Sequence, residues 1–329
     1  MPERFESLQH WLKDVLNTSD FVLKPASEDA SFRYYYRLSI DNNTFIVMDA
    51  PPQQENCEPF IQVTSILHAC HVNAPIIHNM NLEQGFLLLS DFGNEHYLDK
   101  LDHSSVNSLY SDAIKTLVSM QTLGDAKNLN NYDESLLRIE MDLFTEWLLG
   151  KHLKLELNHE QTGSVEEVFN LLVTNALQQP QVLAHRDFHS RNLMLTKENN
   201  PGVIDYQDAV NGPISYDLVS LLKDCYIKWP KDEINAWVDV YLDELAARDF
   251  DQGFERKEFQ RWFDLMGVQR HLKASGIFAR LSHRDGKHVF LKDIPRTLSY
   301  IVDLKQTYKD LAPLSQLIEE SILPKLEVS

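Results

Sequence analysis

His185-Arg186-Asp187-Phe188-His189-Ser190-Arg191-Asn192, followed by Val203-Ile204-Asp205-Tyr206-Gln207-Asp208, is the stretch that decides how this chain is read. The first run has the form H-R-D-x-x-x-x-N, and a second aspartate lies 205 − 187 = 18 residues after Asp187, at the end of an apolar run. Phosphoryl transfer needs such groups: one carboxylate at the attacking hydroxyl, and an amide oxygen with another carboxylate on a divalent metal that bridges the phosphates. Asp187 is therefore the candidate catalytic residue. Asn192 and Asp205 are the candidate metal ligands, with Asp208 as a second ligand or an orienting group. A loop that turns back after Asp187 and a strand pair that returns Asp205 would bring these side chains to one cleft.

The pattern on the two sides of this stretch differs. Upstream, residues 21–24, 32–40 and 44–48 read as strands, with a turn at Asp41-Asn42-Asn43. From Pro59 the apolar residues Phe60, Val63, Leu67 and Cys70 recur at helical spacing, and two further short runs, 76–77 and 86–89, read as strands. Beyond Ser90 the composition turns helical: 104–123 opens on an N-cap serine, 134–149 and 165–177 carry periodic apolar faces, and a long helix is expected from Arg256 to about Leu281. Short runs at 182–184, 193–195 and 203–204 frame the polar stretch itself. The expected class is α+β, with a small antiparallel-sheet lobe over 1–90, a crossing segment over 91–98 and a mainly helical lobe over 99–329.

Composition narrows the chemistry. In 329 residues, 31 Lys and Arg stand against 49 Asp and Glu, so 31 − 49 = −18, which argues against a partner such as duplex nucleic acid or an anionic membrane. Hydrophobic residues at 43% are ample for a buried core. The three cysteines, Cys57, Cys70 and Cys225, form no CxxC pair and leave an odd count, which suits a reducing compartment. The first residues are polar and acidic, unlike a secretory leader, and the densest apolar run is far shorter than the roughly 18 residues that cross a bilayer. A cytoplasmic protein with no obligate protein partner is expected.

The element order and the run HRDFHSRN…VIDYQD…GPISYDLVSLL resemble the aminoglycoside-phosphotransferase-like branch of the protein-kinase-like fold, with Asp217 in the place of that family's later structural aspartate. Within the branch, residues 29–37, 47–52, 87–93 and 280–287 are similar to the bacterial anomeric kinases of cell-wall amino sugars. The resemblance implies a two-lobed kinase-like fold with ATP and Mg²⁺ as cofactors. It implies as substrate a small amino sugar, N-acetylmuramate or N-acetylglucosamine, phosphorylated at the C1 hydroxyl in cell-wall sugar recycling. Another hydroxyl acceptor, such as an aminoglycoside or choline, stays open, as does a non-catalytic scaffold, against which the intact Asp187, Asn192 and Asp205 argue.

Two departures from the kinase pattern concern phosphate binding. Pro25-Ala-Ser-Glu-Asp-Ala-Ser31 holds no glycine where a glycine-rich loop is expected, so backbone approach would rest on small residues such as Ser31. The third strand ends Val47-Met48-Asp49 without the usual lysine. Arg33 and Arg37, on one face of an extended strand, are the candidate substitutes. Asp91-Phe92-Gly93 spells a kinase metal motif but precedes the catalytic loop, so Leu89, Ser90 and Asp91 are assigned to the adenine edge and the metal to Asp205. His185 reads as an orienting group. His189 and Arg191 are candidate substrate contacts, as is a stripe of Arg270, Lys273, Arg280 and Arg284 at near-helical spacing. For the lactyl carboxylate of N-acetylmuramate the expected partner is Arg280 or Arg284, with Lys273 behind them.

Overall fold

The computed structural model of the chain describes residues 2–28, 32–250 and 253–326. The chain divides into two units, Met1–Glu95 with Met194–Asp208, and His96–Leu193 with Ala209–Ser329.

In the first unit, helix α1 (Pro2–Leu16) precedes strands β1 (Val22–Glu28), β2 (Tyr34–Ile40) and β3 (Asn43–Asp49). Helix α2 (Glu58–Ala69) and strands β4 (Ile77–Asn81) and β5 (Phe86–Ser90) follow. The five strands form one antiparallel sheet in the order β1-β2-β3-β5-β4. Asp41 accepts φ 50° in the β2–β3 hairpin, a backbone region that Asp tolerates better than most residues. Leu38, Val47, Phe86 and Leu88 of the sheet pack with Leu8, Trp11 and Leu12 of α1 into one buried cluster. Asp49, at the lysine-free end of β3, is buried and accepts from Arg4 Nε of α1 at 2.8 Å.

The expected boundaries assigned Met194–Asp208 to the helical lobe, whereas the segment clusters with the first unit. Its contacts explain why. Val203 N donates to Asn73 O at 2.8 Å, Leu195 N to Glu95 O at 2.7 Å, and the Tyr206 ring stacks on Phe60 at 4.9 Å.

The second unit is mainly helical: α3 (Tyr97–Lys100), α4 (Val106–Leu123), α5 (Glu134–Leu143), α6 (His159–Leu177) and, after strand β6 (Gln181–Ala184), the catalytic-loop stretch. Of the two-residue strands, β7 (Leu193–Met194) lies at the start of the segment given to the first unit and β8 (Gly202–Val203) lies within it. Strand β9 (Val210–Pro213) pairs antiparallel with β6. Helices α7 (Tyr216–Leu222), α8 (Lys231–Ala246), α9 (Arg256–Asp285), α10 (Ile294–Val302), α11 (Ala312–Leu317) and α12 (Leu323–Leu326) complete it. Among the described residues no helix is long and apolar enough to cross a membrane.

Helix α9 runs for 30 residues and ends at Gly286, whose φ of 69° makes a left-handed cap that glycine adopts without strain. Its middle is buried on nearly every side, so its polar residues face other polar groups inside the unit. The expected single helix over 134–149 ends as α5 at Leu143 and continues as a π-helical segment, Phe144–His152. At that junction α9 comes so close that a Cβ on Gly276 would sit 2.3 Å from the Leu143 carbonyl carbon. Gly276→Ala is therefore expected to destabilise the protein by about 1–3 kcal/mol, the range for overpacking. An unchanged urea midpoint would show that α9 can slide away from Leu143.

Candidate active site

The catalytic loop leaves β6 at His185 and is pinned at both ends by buried aspartates. Asp217, in the first turn of α7, accepts His185 N at 2.6 Å and Arg186 N at 2.9 Å. Asp224, just after α7, accepts Ser190 N at 3.0 Å, Ser190 Oγ at 2.5 Å and Tyr226 N at 3.0 Å. Both are fully buried. These bonds hold a strained turn, because Arg186 has φ 74°. Within the loop, Asp187 N donates to His185 Nδ1 at 3.2 Å, and Asn192 Nδ2 donates to Asp187 O at 3.1 Å. The Asn192 amide therefore turns its nitrogen to the loop and its oxygen the other way.

Asp187 faces a cavity of about 90 Å³, whose lining includes His189, Tyr216, Cys225, Arg270 and Lys273. Burial would push the Asp187 carboxyl up, but Lys273, His189, Arg270 and Arg186 outweigh it and bring it to about 2. Asp187 is thus ionised at neutral pH. Burial takes the His189 ring down to about 4 against the pull of Asp224 and Asp187, which leaves it neutral, and its Nδ1 has no partner among the described residues.

Behind the loop lies a buried polar hub centred on Glu140 of α5. Lys273 Nζ is 3.0 Å from Glu140 Oε1 and donates to Tyr216 OH at 3.0 Å. The Arg186 guanidinium and the Tyr132 hydroxyl also donate to Glu140, and Gln269 Nε2 reaches it at 3.2 Å. Burial works to raise the Glu140 carboxyl, yet Lys273 and Arg186 hold it below its ordinary value.

The remaining predicted residues fall in several places. Arg191 is exposed, with its guanidinium 4.4 Å from the Tyr226 ring and 5.4 Å from that of Phe290. Arg284 is exposed and paired with its neighbour Asp285 at 2.8 Å. Arg280 is half-buried, and burial followed by Arg284 lowers its pKa. Neither Arg280 nor Arg284 is among the residues lining the Asp187 cavity, whereas Arg270 and Lys273 are.

In the first unit, Asp205 takes φ 65° and accepts Gln207 Nε2 at 2.9 Å, and Asp208 is exposed. Asn192, Asp205 and Asp208 offer oxygen donors, the type that Mg²⁺ takes. Among the described residues no three His, Cys, Asp or Glu side chains form a ready cage, and Mg²⁺ ordinarily uses one or two carboxylates with water and phosphate. Arg33 lies just before β2 and pairs with Glu55 at 2.8 Å. Arg37 grips Asp91 through Nε at 2.6 Å and Nη2 at 3.0 Å, and also donates to Gly93 O and Asn94. The two expected phosphate cations thus already hold carboxylates, and Arg37 fastens β2 to residues 91–94. Leu89 is buried in β5, and Ser90 N donates to Ile76 O at 3.0 Å. Ser31 lies outside the described residues.

A small antiparallel sheet, a mainly helical unit and an ionised aspartate on a doubly pinned loop define a protein-kinase-like phosphotransferase. Residues 22–256 match the phosphotransferase enzyme family, and the chain belongs to that family. It is 43% identical to the N-acetylmuramate/N-acetylglucosamine kinase of Pseudomonas putida, over 97% of this chain and 98% of that one. Kinases of the same name from Pseudomonas aeruginosa and Neisseria meningitidis are 42% and 39% identical, over 96% and 97% of this chain and 96% of each of theirs. A choline kinase from Cryptosporidium parvum shares the fold with a TM-score of 0.64 at 11% identity, covering 95% of this chain and 99% of its own. An ADP-bound aminoglycoside phosphotransferase does so at 0.58 and 14%, covering 89% and 97%.

Proposed function

We propose that this phosphotransferase moves the γ-phosphoryl group of ATP to the C1 hydroxyl of N-acetylmuramate and N-acetylglucosamine in the cytoplasm. The observation that carries the reading is the 39–43% identity, over nearly the whole chain, to kinases named for these two sugars. The site chemistry supports it. Asp187, ionised at the cavity wall, accepts a hydrogen bond from the acceptor hydroxyl, orients it, and takes its proton as the oxygen bonds to phosphorus. Asn192 and Asp205, with Asp208 as a further ligand or orienting group, would hold Mg²⁺, which when bound offsets charge on the phosphates. A cationic acceptor such as choline or an aminoglycoside is disfavoured, because Lys273 and Arg270 line the cavity that Asp187 faces. The net charge of −18 does not act there; the local cations do.

Phosphorus NMR of the product from ATP, Mg²⁺ and a panel of sugars and amino alcohols tests the acceptor atom directly. A phosphate coupled to an anomeric carbon is expected, and transfer only to an amino alcohol would overturn the reading. For the metal, Asp205→Ala is expected to abolish the extra thermal stabilisation that Mg²⁺ adds to ATP binding. A shift that persists at wild-type size would assign the metal to other residues.

A further inference from the structure

Arg270 is 5% exposed, on the part of α9 that lines the Asp187 cavity. The one hydrogen bond its guanidinium makes to the described residues runs from Nη1 to Cys225 Sγ, at 3.4 Å. A thiol is a weak acceptor, and no carboxylate of the described residues lies within ion-pair distance of Arg270. The nearby Asp224 carboxylate already takes three donors from Ser190 and Tyr226. Asp187 and Asp224 favour its charge from a distance, but no carboxylate is bonded to its guanidinium, so its planar donors are open to an anion brought by a ligand.

We propose that Arg270 receives the lactyl carboxylate of N-acetylmuramate and so sets the preference of the enzyme for an acidic acceptor; this rests on the functional reading above. The cavity has the composition of that substituent. Ala274, Ile277 and Phe278, on the turns of α9 that follow, give it an apolar wall for the lactyl methyl, and Arg270 gives the charge. The other cations are engaged or elsewhere. Lys273 and Arg186 bind Glu140, Arg284 binds Asp285, and neither Arg191 nor Arg280 is among the lining residues. A planar guanidinium also matches a carboxylate with two parallel bonds.

The test compares N-acetylmuramate, its lactamide (the carboxylate replaced by a neutral carboxamide) and N-acetylglucosamine, with wild type and Arg270→Gln. Wild type is expected to prefer acid over amide by about ten- to a hundredfold in kcat/KM, the range for losing a charge-assisted bond. In Arg270→Gln that ratio should collapse toward one, whatever general loss the substitution brings. If Arg270→Gln does not fold, Arg270→Lys takes its place, and the ratio should fall partway because charge remains without the planar fork. A ratio that survives substitution, or a wild type with no preference while it phosphorylates N-acetylglucosamine, overturns the assignment alone. A wild type that phosphorylates neither sugar refutes the functional reading and this inference with it.

Discussion

Asp187→Asn is expected to lower kcat by roughly 10²-fold or more while ATP binding, read as a thermal shift, stays near that of wild type. Asparagine keeps the size of the side chain and leaves the backbone bonds to Asp217 and Asp224 in place, so the loop should keep its path. What it loses is the charge. With its carboxyl held to about 2, Asp187 is a weak equilibrium base, so in the proposed role it would orient the hydroxyl and take the proton only as the new bond to phosphorus forms. Turnover within a few-fold of wild type in a folded variant would assign proton acceptance to another group. The same lowered pKa has a consequence for stability. A carboxyl whose folded pKa lies below its ordinary 3.8 stabilises the protein above that value and loses its effect as pH falls toward about 2. The stability difference between wild type and Asp187→Asn should accordingly be present at pH 6 and shrink below pH 4.

Features carried by local patterns were legible in the sequence. The β2–β3 hairpin and α2 follow from period-2 or period-3.6 apolar spacing and from turn residues within a few positions of one another. The closeness of Asp187 and Asn192 was legible for the same reason, since they lie within one short stretch, and Asn192 Nδ2 donates to Asp187 O at 3.1 Å. Helix α1 has a sequence sign of its own: Phe5, Leu8, Trp11, Leu12 and Val15 carry the helical spacing that covers the sheet. Partner choice over long separations left no such trace. Nothing near Arg37 says that it will take Asp91 rather than a phosphate, and nothing near Ser190 names Asp224, 34 residues away, as its anchor. The assignment of Met194–Asp208 depended likewise on Asn73, Phe60 and Glu95, all distant in sequence. Glu140 did leave a sign. It shares the inward face of α5 with Leu137 and Met141, and a carboxylate on a core-facing stripe calls for buried cations.

That buried carboxylate carries the second large effect: Glu140→Ala is expected to destabilise the protein by about 3–5 kcal/mol, the range for removing one partner of a buried ion pair. Arg186 and Lys273 would then be buried without the group that offsets them, while Tyr132 and Gln269 lose their acceptor. Desolvation of Glu140 is real, but the two cations more than cancel it, and its pKa lies below the ordinary value. Its contribution is therefore present above the ordinary carboxylate range and lost on acidification, so the deficit of Glu140→Ala should narrow at low pH. The charges, not the packing, are the cause. Glu140→Gln, which keeps the volume, should lose nearly as much as Glu140→Ala, and a second change, Lys273→Met, should restore part of it because one uncompensated cation is gone. Chemical denaturation of Glu140→Gln, Lys273→Met and the double variant decides the matter: additive losses in the double variant would mean that Lys273 and Glu140 do not act as a pair. The effect reaches the reaction through Arg186, which follows His185 in the loop, carries the strained φ, and precedes Asp187. Without Glu140 to hold its guanidinium, Arg186 can relax and turn the Asp187 carboxylate away from the cavity, so folded Glu140→Gln should show a lower kcat even where nucleotide binding is unchanged.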